Sequence, residues 1–257
     1  MEVQPVTWLL TLAFDGTEYC GFQVQPNGRS VAAAFQDGLE AVIGRRPDIK
    51  GCSRTDAGVH ALGFALSFEA DLRIPPEKLP LALNTKLPRD IRVLSARVVP
   101  DGFHARYAAH TKTYLYRIRN SPIDSPFEER YYCRIPGRLD VERMQRAAAH
   151  FVGTHDFLAL CAAHSSAAAH GDTVRTITAC GAERHGDTVE ITVTADGYLY
   201  NMVRILAGTL CEAGAGRLDP EAVPAILASR DRRLAGPTLP AKGLFLHHVD
   251  YGKEAEG

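Results

Sequence analysis

The group of residues with the clearest chemical potential is Arg54-Thr55-Asp56-Ala57-Gly58-Val59-His60-Ala61, in which a carboxylate stands between an arginine and two small residues. Residues 49–53 have strand character. Asp-Ala-Gly-Val then breaks it, because Gly58 reaches backbone angles closed to other residues. Asp56 is therefore expected at a strand end, with Ala57 and Gly58 leaving room for a substrate to approach. A carboxylate so placed suits nucleophilic or general-base work. An isolated Asp-Ala-Gly more often forms an Asx-turn or a helix cap, its oxygens taken by nearby backbone N–H groups.

A second group lies in a helix expected over 198–213. Leu199, Met202, Val203, Leu206 and Leu210 form one stripe and Ile205 lies off it, so the helix is largely buried. Arg204 projects from a separate flank beside Ala207, Gly208 and Cys211, whose small side chains let another segment approach closely. A buried guanidinium keeps its proton and must be paired, so a carboxylate has to meet it; Asp15 and Asp196 are structural alternatives. Tyr114 shares a strand face with Tyr116, and burial in the core is one reading of both.

The elements that position these groups alternate between strand and helix. Strands are expected over 7–14, 49–54, 62–68, 91–99, 113–119 and 244–251, and a hairpin over 176–182 and 188–195 through His185-Gly186-Asp187. Helices are expected over 31–44 after a Ser30 cap, after Pro75-Pro76, over 141–151 and over 220–229. The rhythm is that of an α+β protein in two halves, 1–105 and 106–257, with a cleft between them as the natural site. The stretch 162–171 is small and lacks an apolar period, which predicts a mobile loop.

With 257 residues, 46% of them hydrophobic, the chain can build a substantial core without staples. Its cysteines (Cys20, Cys52, Cys133, Cys161, Cys180 and Cys211) include no C-x-x-C pair, so reduced thiols of a cytoplasm are expected rather than zinc or disulfides. Residues 1–5 lack the features of a signal peptide, and no run has the length of a membrane span. His164 and His170 lack a carboxylate partner and the adjacent His247 and His248 point to opposite strand faces, so no metal is expected. No phosphate-cradling or dinucleotide-binding glycine motif is present, which agrees with chemistry that needs no cofactor. The formal net charge of −1 is divided as +3 over residues 1–120 and −4 over 121–257, so any basic surface must be local. Its contributors would come from Arg29, Arg45, Arg46, Lys50, Arg54, Arg106, Lys112, Arg117, Arg119 and the run Arg230-Asp231-Arg232-Arg233.

The octet, together with five further segments, resembles the tRNA pseudouridine synthase A family. The segments are Phe14-Asp15-Gly16-Thr17 with Gly21-Phe22-Gln23, Phe103-His104-Ala105-Arg106, Lys112-Thr113-Tyr114-Leu115-Tyr116-Arg117, Tyr200-Asn201-Met202-Val203-Arg204, and Gly243-Leu244, in the family's order. Phe22 stands where a Trp is usual, Cys52-Ser53 where a Gly is frequent, and Ile205 where a polar residue often follows the arginine. The resemblance implies two similar α/β-sandwich halves of RNA-recognition-motif-like or ferredoxin-like form, with a mixed, mostly antiparallel sheet and a central cleft. It implies that Asp56 is catalytic, that Arg204 meets it and holds it ionised, that Tyr114 lies against the target uracil and that Arg54 assists base flipping. His60 and His104 are weighed as structural or RNA-facing residues.

The implied reaction turns uridine into pseudouridine in the anticodon stem-loop of tRNA, on a homodimer and without cofactor. Attack on C1′, addition to the base and abstraction of a ribose proton all remain open as the role of the aspartate. A non-catalytic RNA-binding or folding module and an Asp-dependent nucleoside hydrolase are the rival readings. The intact octet with Tyr114 and Arg204 favours the isomerase.

Overall fold

Apolar side chains at Trp8, Leu10, Leu12 and Phe14, with Leu9 also buried, make β1 (Val6–Phe14) the central strand of a first sheet. The computed structural model describes residues 6–26, 28–162 and 166–255. Within them the chain divides into two compact units, one running to His110 and resuming at Phe245, the other spanning Thr111–Leu244. The final strand therefore belongs with the first unit.

In the first unit β1 pairs antiparallel with both β3 (His60–Ala70) and β4 (Ile91–Val99). The short β2 (Lys50–Gly51) pairs antiparallel with β3, and β10 (Leu244–Asp250) runs parallel to it, with Phe245 opposite His60. Helix α1 (Val31–Ile43) starts at the expected cap, Ser30 Oγ accepting from Ala33 N at 3.2 Å, and ends one residue short of the expected 44, because Gly44, at φ 72°, leaves the right-handed turn and donates back to Glu40 O at 2.8 Å. Val31, Phe35 and Leu39 form its buried stripe. Helix α2 (Leu79–Asn84) follows a turn closed on Pro75 O, and Asn84 grips β4 by accepting from Val93 N and donating to Val93 O, both at 2.9 Å.

The second unit orders β5 (Thr111–Arg119), β9 (Thr188–Ala195), β8 (Val174–His185) and β7 (Gly153–Asp156) side by side, all antiparallel. β6 (Cys133–Arg134) adds a short parallel pairing to β5. Helix α3 (Val141–Ala149) begins at Asp140, whose carboxylate accepts from Arg143 N at 3.1 Å, and its Gln145 accepts from Ala182 N of β8 at 2.7 Å. Helix α5 (Met202–Gly214) is buried at nearly every position, and α6 (Val223–Ser229) continues a 3-10 turn over Pro220–Ala222. Tyr116 is a core residue, its hydroxyl donating to Pro240 O at 2.7 Å.

Three expectations are corrected. The strand expected over 49–54 stops at Gly51, because after Cys52 N donates to Ala65 O the chain leaves β3 and Thr55 O instead accepts from Phe22 N. The helix expected from 198 starts at Met202, since Asn201 holds φ 61° and cannot continue a right-handed turn. Of the 162–171 segment expected as loop, Ser166–His170 forms a short helix, α4, while 163–165 lie outside the described residues, as do the N-terminal positions 1–5.

The flank of α5 read as a close-approach face is occupied by the segment around Pro237. A Cβ at Gly208 would sit 1.9 Å from Pro237 O. Gly208→Ala is therefore expected to lower stability by about 3 kcal/mol, the upper end for overpacking. An unchanged midpoint of chemical denaturation would contradict that close approach.

Candidate active site

The octet forms the connection from β2 into β3, and its backbone is fixed from one side by the segment after β1. Gly58 N donates to Tyr19 O at 3.2 Å, Phe22 N to Thr55 O at 3.3 Å, and Val59 N closes a turn on Asp56 O at 3.2 Å. Two glycines make the approach possible. A Cβ at Gly16 would lie 2.0 Å from Val59 O; one at Gly21, whose φ is 96°, would lie 2.3 Å from Thr55 O and 3.2 Å from the Asp56 carbonyl carbon. Gly58 itself holds φ 76°, as its position after Asp-Ala predicts. Asp56 is thus displayed, half-buried, on a turn that opens β3.

The start of β3 is locked as well. His60 is 1% exposed, stacks on Phe245 with ring centres 4.7 Å apart and accepts at Nδ1 from Gly16 N at 3.0 Å. This is a structural histidine, one of the two roles weighed for it. Arg54 is exposed, and among the described residues its side chain has no hydrogen bond or ion pair. The same unit carries His104, whose Nδ1 accepts from Arg106 N at 3.1 Å and whose ring lies 4.3 Å from that of Tyr107. Burial first, then the Lys50 ammonium, pushes the His104 imidazole below its ordinary 6.5.

The second unit carries the other two candidates. Tyr114, on β5 opposite Val193, is 6% exposed and packs edge-on against Tyr198 with ring centres 4.9 Å apart. Arg204 sits half-buried in the first turn of α5. Its Nε donates to Leu239 O at 2.6 Å and its Nη1 to Asn201 Oδ1 at 2.8 Å. The guanidinium is therefore aimed by two groups that reading the sequence did not single out. Asn is among the residue types most often found in the left-handed region, so an Asn three residues before Arg204 is the sequence signal that could have found one of them. Leu239 comes into play only through the packing of its segment on Gly208, which tertiary structure alone shows.

The cations named for a basic surface are mostly spoken for. Arg46 binds Asp37 at 2.6 Å and Glu40 at 3.0 Å, Arg117 binds Glu190 at 3.1 Å, and Arg230 binds Asp156 at 2.9 Å. Arg119 faces Glu128 and Asp187, Arg233 chelates Asp231, and Lys50 meets Asp48. Arg232 donates to Gly236 O and Thr238 Oγ1. Among the described residues no group of three or more His, Cys, Asp or Glu has the geometry to hold a metal ion, and no helix is long and apolar enough to cross a membrane.

Compared with known proteins, residues 11–108 and 147–252 match the family described as tRNA pseudouridine synthase. The chain belongs to the tRNA pseudouridine synthase family. It is similar to the tRNA pseudouridine synthase A of Shouchella clausii (strain KSM-K16), at 44% identity over 94% of this chain and 92% of the relative. The Moorella thermoacetica protein of the same name is 46% identical over 94% of this chain and 98% of its own, and that of Bacillus pumilus 42% over 94% and 97%. By family the synthase is an isomerase. Arg54 and Asp56 fall in the first matched stretch and Arg204 in the second; Tyr114 lies in the interval between them.

The pH response of the synthase at His104 follows from its surroundings. Because the fold disfavours the imidazolium, the contribution of His104 to stability is complete above pH 6.5 and erodes as pH falls below it, where the unfolded chain takes up the proton first. An NMR titration is expected to place the His104 midpoint below 6.5, and Lys50→Gln to move it back upward. A midpoint at or above 6.5 in the wild type would contradict the assigned environment.

Proposed function

We propose that this synthase isomerises uridine to pseudouridine in the anticodon stem-loop of tRNA in the cytoplasm, with Asp56 as the catalytic carboxylate. In the net reaction the ribose C1′–N1 bond breaks and C1′–C5 forms; the C5 proton leaves and N1 gains one, with no redox change. Arg204 completes the catalytic set, Tyr114 lies against the target uracil, and Arg54 assists the base in leaving its stack. The observation that carries the reading is the Asp56 turn itself. A carboxylate is displayed there on a backbone fixed through Gly16 and Gly21, within a chain whose family is defined by this reaction.

The other assignments draw on the same chemistry. Removing a uridine from a stem costs a few kcal/mol, and stacking on an aromatic ring returns about 1–3 kcal/mol per base. The exposed Arg54 guanidinium, two residues from Asp56, can fill the vacated space or hold a flanking phosphate. A homodimer on which one RNA spans two subunits belongs to this reading, because a chain with net charge −1 gains from a composite surface. A monomeric mass by light scattering, with activity retained, would remove that part.

Incubation of unmodified tRNA with the wild type and with Asp56→Asn tests the proposal, pseudouridine being mapped by carbodiimide-dependent reverse-transcriptase stops. Stops in the anticodon arm are expected with the wild type and none with Asp56→Asn. Arg204→Lys, which keeps the charge but loses the planar fork held by Leu239 O and Asn201, is expected to lower kcat about 100-fold. Modification by Asp56→Asn at the wild-type rate would refute the role of the carboxylate, and stops confined to another arm would refute the substrate region.

A further inference from the structure

The segment Phe103-His104-Ala105-Arg106 carries part of the family resemblance but no role in the proposed function, and Tyr107 follows it directly. Tyr107 is a large ring with 76% of its surface exposed, and it does not sit on a loose loop. Ala105, two residues before it, is fully buried: its N–H donates to Ser67 Oγ of β3 at 3.0 Å and its carbonyl accepts from the buried Tyr251 hydroxyl at 2.7 Å. The turn is closed by Tyr107 N and Ala108 N, each donating to His104 O at 3.0 Å, and by Arg106 N on His104 Nδ1.

The ring is flanked by groups that prefer it where it is. His104 lies 4.3 Å away at an interplanar angle of 40°, and the Arg106 guanidinium carbon stands 5.8 Å from the ring centre. Arg106 is exposed, and among the described residues its side chain makes no hydrogen bond or ion pair, unlike Arg46, Arg117, Arg230 and Arg233. An aromatic face on a rigid turn beside an uncommitted guanidinium is the combination that receives an unpaired base and its phosphate. Burial and the neighbouring Lys50 favour neutral His104, so the imidazole backs the ring as an aromatic surface while Arg106 supplies the charge.

We infer that Tyr107 and Arg106 form an additional RNA contact, Tyr107 stacking on an unpaired nucleotide of the substrate and Arg106 binding an adjacent phosphate. The inference rests on the proposed tRNA substrate and specifies one part of how that RNA is held. It calls for an unpaired base, so it distinguishes a looped RNA from a perfect duplex.

The test measures fluorescence anisotropy of the full chain with an unmodified tRNA transcript and with a fully paired RNA duplex of similar length. Tyr107→Ala is expected to weaken tRNA binding about tenfold, Tyr107→Phe to bind as the wild type does, and duplex binding to stay unchanged. Arg106→Gln is expected to lower the slope of log affinity against log salt by about one. Because the ring is exposed, unchanged thermal melting of the variants separates lost contact from lost fold.

Unchanged tRNA affinity in Tyr107→Ala overturns the inference, as does an equal loss on duplex. A changed particle mass by light scattering, with tRNA affinity unaltered, overturns it in favour of a protein partner. Pseudouridine formation by the wild type is assayed alongside. Binding without product defeats the proposed reaction and leaves this contact standing, whereas product with an indifferent Tyr107 defeats the contact alone.

Discussion

Where Gly16 and Gly21 meet the backbone of Thr55–Val59, no side chain fits between the two segments, and the placement of Asp56 depends on that close approach. The carboxylate stands on a turn of four residues with no secondary structure of its own, which in isolation would sample many conformations. Hydrogen bonds from Phe22 and Gly58 across the contact, and the His60 imidazole accepting from Gly16 N, hold the turn against the strand end. Helix α1 then fixes the opposing segment: Val31 N donates to Gly21 O at 3.1 Å and Ala32 N to Phe22 O at 2.9 Å. The Asp56 side chain, although on a loop, thus gains the rigidity of a helix and a sheet together.

Arg204 is positioned by a comparable device in the other unit. The Gly236–Leu239 segment lies so close to α5 that Gly208 can be nothing larger, and this brings Leu239 O to the guanidinium. Asn201, in a left-handed conformation before the helix, supplies the second acceptor. In both units small residues permit a backbone approach, and the backbone then does the orienting.

Much of this was legible in the residues. Alternation located β1, β4 and β9 closely, the Ser30 cap marked the start of α1, and the Gly186 turn of the β8–β9 hairpin lay where expected. The failures have a common cause. The strand after residue 49 ends early and α5 starts late because tertiary contacts at Thr55 and the left-handed backbone of Asn201 override local propensity. β6 and β7 are too short for any periodicity to register. The list of basic residues was misleading for a related reason: a cation's availability depends on carboxylates distant in sequence, such as Glu190 for Arg117. A protein of net charge −1 meets RNA through cations that no carboxylate neutralises, and among the described residues Arg54 and Arg106 are two such cations.

The contact at Gly21 offers the most direct test, because a methyl group there must displace the Thr55 carbonyl and press on the Asp56 backbone while leaving the Asp56 side chain and every charge in place. Single-turnover pseudouridine formation by Gly21→Ala, measured beside its tRNA affinity, separates placement of the carboxylate from binding of the RNA. The account predicts a folded protein that binds tRNA as the wild type does and reacts about 100-fold more slowly. A variant reacting at the wild-type rate would show that the close approach does not position the carboxylate proposed as catalytic.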